Sequence, residues 1–289
     1  MLNRQKSNID SRNKLYLVGT PIGNLDDFTY RAIETLKKVD IIYCEDTRIT
    51  GMLLKHFDIH TPLKSYNVIT ENDETIDIIN NLKKGKNIAV VSDAGMPGIS
   101  DPGFVACVQA CEEGFSVVTI PGVSACLTGL VASTLSTNHF MFYGFLAPKT
   151  NQRKKELESL KNFPYTIIFH EAPHRIKDCL NDMKEILGNR KICLARELTK
   201  QYEEYLRGTI EEVLDVVDEI KGEMIIIVEG EKEDEVISNL NALTIKEHYE
   251  FYLSQNLDPK TAMKNVAADR KISKSIIYQE IKGKNKTNI

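Results

Sequence analysis

The chain has 289 residues, with 37 Lys and Arg against 41 Asp and Glu for a formal net charge of −4, and it is 42% hydrophobic and 27% charged. That composition supports a substantial core, and the length suggests two domains. No window approaches the roughly 18 uninterrupted apolar residues of a membrane span, and the N-terminal MLNRQKSNIDSRNK is polar where a signal peptide needs an apolar run. Membrane-embedded and secreted proteins are disfavoured, and a cytoplasmic one is expected.

The first thirteen residues show no apolar period and read as a flexible arm. From Lys14, short apolar runs alternate with amphipathic stretches: LYLV at 15–18, IIYC at 41–44, IAVVSD at 88–93 and VVTIPG at 117–122, the signature of buried strands. Helical patterns at 29–38, 75–84 and 104–113 lie between them, the last two stopped by Gly85 and Gly114. Strand and helix in alternation predict a mostly parallel sheet with helices on its faces. A small-residue helix at 124–136 closes this N-terminal α/β domain, 14–136.

A second α/β domain, 137–231, has strands expected at 141–145, 165–171, 192–198, 203–208 and 223–230, with helices at 152–161, 175–187 and 210–220. The acidic EKEDE at 231–235 reads as a linker into a helical basic extension, 232–289, with helices at 245–254, 259–269 and 273–282. Asp258-Pro259 and Ser273 supply helix starts. Six cysteines are spread without a CxxC pair or a histidine cluster, so they read as reduced core residues, and no metal site is expected.

In open parallel sheets, ligands bind beyond the carboxyl ends of the strands. Four such ends carry residues unsuited to a core: GTPIGN at 19–24, EDTR at 45–48, SDAGMPGISDPG at 92–103 and PGVSA at 121–125. The third is the most informative, because its glycines and prolines favour a rigid loop presenting backbone groups to a ligand. Its Asp101 reads equally as a cap on the next helix and as a ligand-facing group. Gly19 and Gly23 do not form the G-x-G-x-x-G dinucleotide fingerprint, and no phosphate-loop lysine is present. Glu45, Asp46, Asp93 and Asp101 could form a magnesium cluster, but no phosphate-cradling lysine accompanies them. HEAPHR at 170–175 and ARELTKQYEE at 195–204 gather further charged groups at strand ends.

The ordered set LVGTPIGNL, DIIYCEDTR, VSDAGMPGISDPG, IPGVSA, FHEAPHR, ARELTK and KGEMIIIVEG resembles the ribosomal RNA small-subunit methyltransferase I family, from about Leu15 to Gly230 and on into the helical extension. The resemblance implies two α/β domains of the tetrapyrrole methylase type, with a parallel sheet in the N-terminal domain, a mixed sheet in the second and a small helical C-terminal extension. It implies S-adenosylmethionine as cofactor, 2′-O-methylation of a cytidine in the decoding region of small-subunit rRNA, and a homodimer.

Motif by motif, the implied cofactor residues are Pro21, Asp93, Ala94, Gly95, Pro97, Ser124 and Ala125, with backbone near Glu171 and Ala195 closing the other side. The chain departs from the family pattern at Met96 (Thr expected), at Val123 (Pro expected), at His170-Glu171-Ala172 (Tyr-Glu-Ser expected) and over SYNVITENDE, 65–74, where a histidine is expected. A ribose hydroxyl is a poor nucleophile, so a base must take its proton, with Glu45, Asp46, Glu171 and His174 as candidates. Arg48, Arg175, Arg196 and Lys200 are candidates for positioning RNA phosphates.

An RNA partner, free rRNA or an assembled small subunit, fits local basic patches: Arg153-Lys154-Lys155, and six basic residues from Arg270 onward (Arg270, Lys271, Lys274, Lys282, Lys284, Lys286) against Glu280. The alternatives are a tetrapyrrole or other small-molecule methyltransferase and a noncatalytic RNA-binding assembly factor. A magnesium-dependent phosphoryl-transfer enzyme is the outsider.

Overall fold

The apolar runs of the first half pair as one wholly parallel sheet of β1 (Lys14–Val18), β2 (Ile41–Cys44), β3 (Leu63–Ser65), β4 (Ile88–Val91) and β5 (Ser116–Ile120), in the order β3-β2-β4-β1-β5. The computed structural model describes residues 4–6, 13–231 and 240–282. Every residue of β2 and β4 is buried, which explains their unbroken apolar sequence.

Alternate residues feed two cores, as the pleat requires. Leu15, Leu17, Tyr43 and Val90 face Ile78 and Leu82 of α3 (Glu71–Lys83) and Ala106 of α4 (Phe104–Glu112). Val18, Ile42, Cys44 and Val91 face Leu36 of α1 (Tyr30–Lys38) and Leu54 of α2 (Thr47–His56). Two of these elements lack a clear sequence signal. Strand β3 is a short, half-exposed edge strand, and α2 opens on polar residues, with Asp46 as its N-cap accepting the Arg48 N–H. Helix α3 starts at Glu71, ahead of the expected position, because Glu71, Asp73 and Glu74 suit a helix N-terminus.

The second sheet has the order β6-β7-β10-β8-β9, from β6 (Phe140–Phe145), β7 (Thr166–Glu171), β8 (Lys191–Arg196), β9 (Glu204–Thr209) and β10 (Met224–Val228). It is mixed: β6 and β7 are parallel, and the other pairs are antiparallel. Helix α5 (Ala125–Ala132) follows β5 yet packs on this second sheet, where Cys126 and Leu130 meet Ile168, Cys193 and Ile225. A Cβ on Gly129 would overlap the Ile225 side chain, so the glycine lets the helix lie close to β10. Helices α6 (Thr150–Leu160) and α7 (Ile176–Leu187) are tied by a buried ion pair, Arg153 Nε to Asp182 Oδ2 at 2.7 Å. Arg153 therefore does not belong to a surface phosphate patch. Helix α8 stops at Ile210–Leu214 and only a 3₁₀ turn follows at Val217–Glu219, where Val216 and Val217 are β-branched and stiff.

The chain separates into two units, Met1–Lys161 with Tyr165–Glu229, and Asn162–Pro164 with Gly230–Ile289. Both sheets belong to the first. Of the expected N-terminal arm, residues 1–3 and 7–12 lie outside the described residues; Gln5 bonds the edge strand β5 through both side-chain amide groups, at Val117 O and N.

The second unit holds α9 (Ile245–Ser254), α10 (Pro259–Asp269) and α11 (Lys274–Lys282). A capping box between Thr244 and Glu247 starts α9, and Asp258 caps α10 with Pro259 at its first position. Val266, Ala267 and Ile277 form its core. Most of the expected acidic linker, 232–235, lies outside the described residues, as do Lys284 and Lys286. All six cysteines are free, and four of them are buried. Among the described residues no helix is long and apolar enough to cross a membrane.

Candidate active site

Two glycines bring the first loops together. The strand-end backbones of Gly19 and Gly122 approach so closely that a Cβ on either would lie within 3 Å of the other's Cα. One residue on, Thr20 and Gly95 exchange backbone hydrogen bonds of 2.9 and 3.1 Å, which ties the glycine-rich loop to the end of β1. Thr20 Oγ1 donates to Ser92 O, and Ser92 Oγ donates to Gly95 O, both at 3.1 Å. Gly95 has φ +83°, a conformation that glycine adopts without strain.

These loops form one wall of a cavity of about 440 Å³. Ala94, Gly95, Ser124 and Ala125 line it; Pro21, Asp93 and Pro97 do not. Asp93 instead accepts the backbone N–H of Asp46 at 3.1 Å, which joins the ends of β2 and β4 behind the wall. The opposite wall comes from the second sheet, with His170 and Glu171 at the end of β7, Ala195 in β8, and Met224 and Ile225 in β10. Phe142 and Phe145 stand edge-on to the His170 ring at 5.1 and 5.3 Å. Burial lowers the His170 pKa, so this imidazole is neutral at pH 7, and its Nε2 is buried without a hydrogen-bond partner.

The candidate proton acceptors differ sharply in their surroundings. Asp46 caps α2 and pairs with Arg48 at 2.6 Å, and those hydrogen bonds hold its pKa down at about 2. Glu171 is buried, its carboxylate paired with Arg175 Nε at 3.2 Å and accepting the Ala172 N–H at 2.8 Å. His174 is exposed and lies outside the cavity lining. Glu45 has its pKa raised by burial first, then by the charges of Asp93 and Asp46.

Of the candidate cations, Arg175 is committed to Glu171 and to the Leu146 carbonyl. Arg196 pairs with Glu204 at 2.5 Å, and Lys200 bridges Glu197 and Glu223. Arg48 has 87% of its side chain exposed, so its pair with Asp46 leaves it open to a ligand. Among the described residues, no three His, Cys, Asp or Glu side chains converge as a metal ion requires.

The cavity suits S-adenosylmethionine. Its volume lies in the range of small-molecule sites, about 300–1,000 Å³. Apolar groups such as Ile22, Met96, Phe142 and Leu198 suit an adenine and a thioether. The start of α5, where the Ser124 side chain makes no capping bond, leaves first-turn N–H groups for a carboxylate.

The profile of the Tetrapyrrole (Corrin/Porphyrin) Methylases matches residues 14–214. The chain is 50% identical over 269 residues to the ribosomal RNA small subunit methyltransferase I of Bacillus subtilis, covering 91% of this chain and 92% of that protein. It is 40% identical to the Synechocystis protein of the same name, over 92% of this chain and 96% of that one. The chain belongs to this family. Among solved structures, the uroporphyrin-III-C-methyltransferase of Thermus thermophilus superposes with a TM-score of 0.54 at 18% identity, covering 75% of this chain and 94% of that one. The methyltransferase CobJ gives 0.58 at 18% identity, over 76% and 95%. These two share the fold.

The positions expected to depart from the family motifs have visible settings. Met96 lines the cavity, and its sulfur lies beside the Gly19 backbone. Segment 65–74 braces the loop: the Tyr66 hydroxyl donates to Glu71 Oε1 at 3.1 Å, and the same oxygen accepts the Gly103 N–H at 3.0 Å. Glu71 thus serves the start of α4, and Asp101 is not its cap. Sequence reasoning left Asp101 undecided between a cap and a ligand-facing group, and it did not place His170 or Glu223 in the site, where their only signal was a position at or near a strand end.

Proposed function

We propose that the protein transfers a methyl group from S-adenosylmethionine to the ribose 2′-oxygen of a cytidine in the decoding region of small-subunit rRNA, in the cytoplasm and as a homodimer. The observation that carries this reading is the kinship, at 40–50% identity over nearly the whole chain, with proteins named ribosomal RNA small subunit methyltransferase I. The uroporphyrin-III-C-methyltransferase and CobJ share the fold at only 18% identity. The cavity supports the same chemistry.

When bound, S-adenosylmethionine supplies an electrophilic methyl group on a sulfonium, so the protein has to hold it dry and align the acceptor oxygen. Ala94, Gly95, Ser124 and Ala125 would hold the donor from one wall, and Ala195 and the Glu171 backbone would close the site from the other. Asp93, Pro21 and Pro97 act behind this surface by fixing the loops. Arg48 is the cation best placed for an RNA phosphate. Arg196, Lys200 and Arg175 shape the rim through their ion pairs, and Arg175 keeps Glu171 out of proton transfer. In the second unit, exposed Lys271 and Lys274 are open to phosphates, whereas Arg270 is bonded to His248 and the Leu240 carbonyl.

The test offers labelled S-adenosylmethionine with unmodified small ribosomal subunits, with free small-subunit rRNA and with a tetrapyrrole. Label in RNA, and none in the tetrapyrrole, is expected. Label in the tetrapyrrole alone overturns the reading.

A further inference from the structure

We propose that Asp101 is the catalytic carboxylate that accepts the proton of the ribose hydroxyl as the methyl group is transferred. The inference rests on the reaction proposed above and adds to it the identity of the base. Asp101 lines the cavity that the donor fits, and among the described residues its carboxylate is influenced by burial and by the charges of Glu45 and Asp93 with no hydrogen bond to it. The alternative explanation for an aspartate in a βα loop, capping the next helix, does not apply. Helix α4 has Gly103 as its N-cap with no side-chain capping bond, and Glu71 takes the Gly103 N–H. The loop around it is closed by the Gly98 N–H on the Pro102 carbonyl at 3.0 Å, with Ser100 at φ +63° within it.

The other carboxylates near the cavity are engaged elsewhere. Glu171 is paired with Arg175, Glu223 with Lys200, and Asp46 with Arg48. Glu45 and Asp93 do not line the cavity, but they face Asp101 from the ends of β2 and β4. Burial first, then the charges of Glu45 and Asp93, raise the Asp101 pKa to about 6. The other titratable groups of the walls, His170 and Cys126, are both pushed toward their neutral forms by burial, which lowers the imidazole and raises the thiol to about 11. Asp101 is therefore largely ionised at pH 7 yet more basic than an ordinary carboxylate, the balance that favours a general base.

The step balances without oxidation or reduction. The hydroxyl O–H bond breaks and its proton passes to a carboxylate oxygen of Asp101. The ribose oxygen forms the new O–C bond, and the breaking C–S bond leaves its electron pair on sulfur. Solvent then takes the proton from Asp101 and restores the carboxylate.

The experiment compares wild type, Asp101→Asn and Glu45→Gln in single-turnover methylation of small subunits from pH 5 to 8.5. Cofactor affinity is measured by calorimetry, and the Asp101 carboxyl is titrated by carbon NMR. The expected results are a rate lower by about a hundredfold or more in Asp101→Asn, cofactor affinity within about threefold of wild type, and a wild-type rate that rises with pH through a midpoint near that of the carboxyl. Glu45→Gln should move both midpoints to lower pH. An Asp101→Asn rate within a few-fold of wild type overturns the assignment. So does a rate loss fully accounted for by weaker cofactor binding, which would make Asp101 a cofactor ligand, or a carboxyl that titrates near the ordinary value of about 4. Wild type that methylates no RNA overturns the proposed function itself, a result separable from an active wild type with an equally active variant.

Discussion

A Cβ placed on Gly19 would lie 2.8 Å from the Cα of Gly122, and one on Gly122 would lie 2.9 Å from the Cα of Gly19. Both neighbours are backbone, so no side chain can swing away to make room. Gly122→Ala should cost about 1–3 kcal/mol, as overpacked cores do. The displacement reaches Thr20 and its bonded partner Gly95, so cofactor affinity should fall with stability. Thermal unfolding and calorimetric titration of the same variant check both effects, and unchanged values for both would contradict the account.

Arg153 and Asp182 form a buried pair with side chains only 3% and 9% exposed. Removing one partner of such a pair leaves an uncompensated buried charge, at a cost of about 3–5 kcal/mol. Lys154 lies 3.6 Å from Asp182 and supplies part of the missing charge, so Arg153→Ala should fall at the lower end. Urea denaturation measures this. RNA affinity of the folded variant should be unchanged; a loss of RNA affinity at full stability would restore the surface-patch reading.

That pair shows where sequence reading stops. Arg153-Lys154-Lys155 looks like a basic patch because the partner of Arg153 lies 29 residues away on another helix. Strands β2 and β4 were legible because burial on both faces leaves a continuous apolar run, and β1 and β5 because their β-branched and aliphatic residues run together although they are only partly buried. Strand β3 was not, since an exposed three-residue edge carries no such run. The glycine-rich loop announced itself by composition, and Gly95 takes the positive φ that such a loop needs. Asp101 could not be assigned from sequence, because only the fold shows that Glu71, 32 residues from Gly103, occupies the capping role.

Filling the cavity separates binding from folding. Ala94 is exposed and lines the cavity, so Ala94→Phe should leave stability within about 0.5 kcal/mol. Cofactor affinity should fall at least about tenfold, equivalent to about 1.4 kcal/mol. Calorimetry with S-adenosylmethionine, beside a thermal melt, checks the prediction.

The helical unit should weaken in acid. His248 is fully buried, with Nε2 at 3.1 Å from Asp269 Oδ2 and Nδ1 accepting from Arg270 Nε at 3.1 Å. Burial lowers its pKa, with Arg270 adding to the effect and the Asp269 hydrogen bond opposing it. The folded pKa lies below the unfolded value of about 6.5, so the unfolded chain binds the proton more readily. Stability from this residue is present above that value and is lost as pH falls toward the folded pKa. Amide hydrogen exchange across α9, α10 and α11 should accelerate between pH 7.5 and 5.5 after correction for intrinsic rates. Equal protection at both values would contradict this.

The proposed function requires attack by a ribose oxygen rather than by a base nitrogen or carbon. The most direct measurement is mass spectrometry of nucleosides digested from small-subunit rRNA after incubation with the protein and S-adenosylmethionine. The account predicts 2′-O-methylcytidine as the new nucleoside; a base-methylated nucleoside in its place, or none, would contradict it.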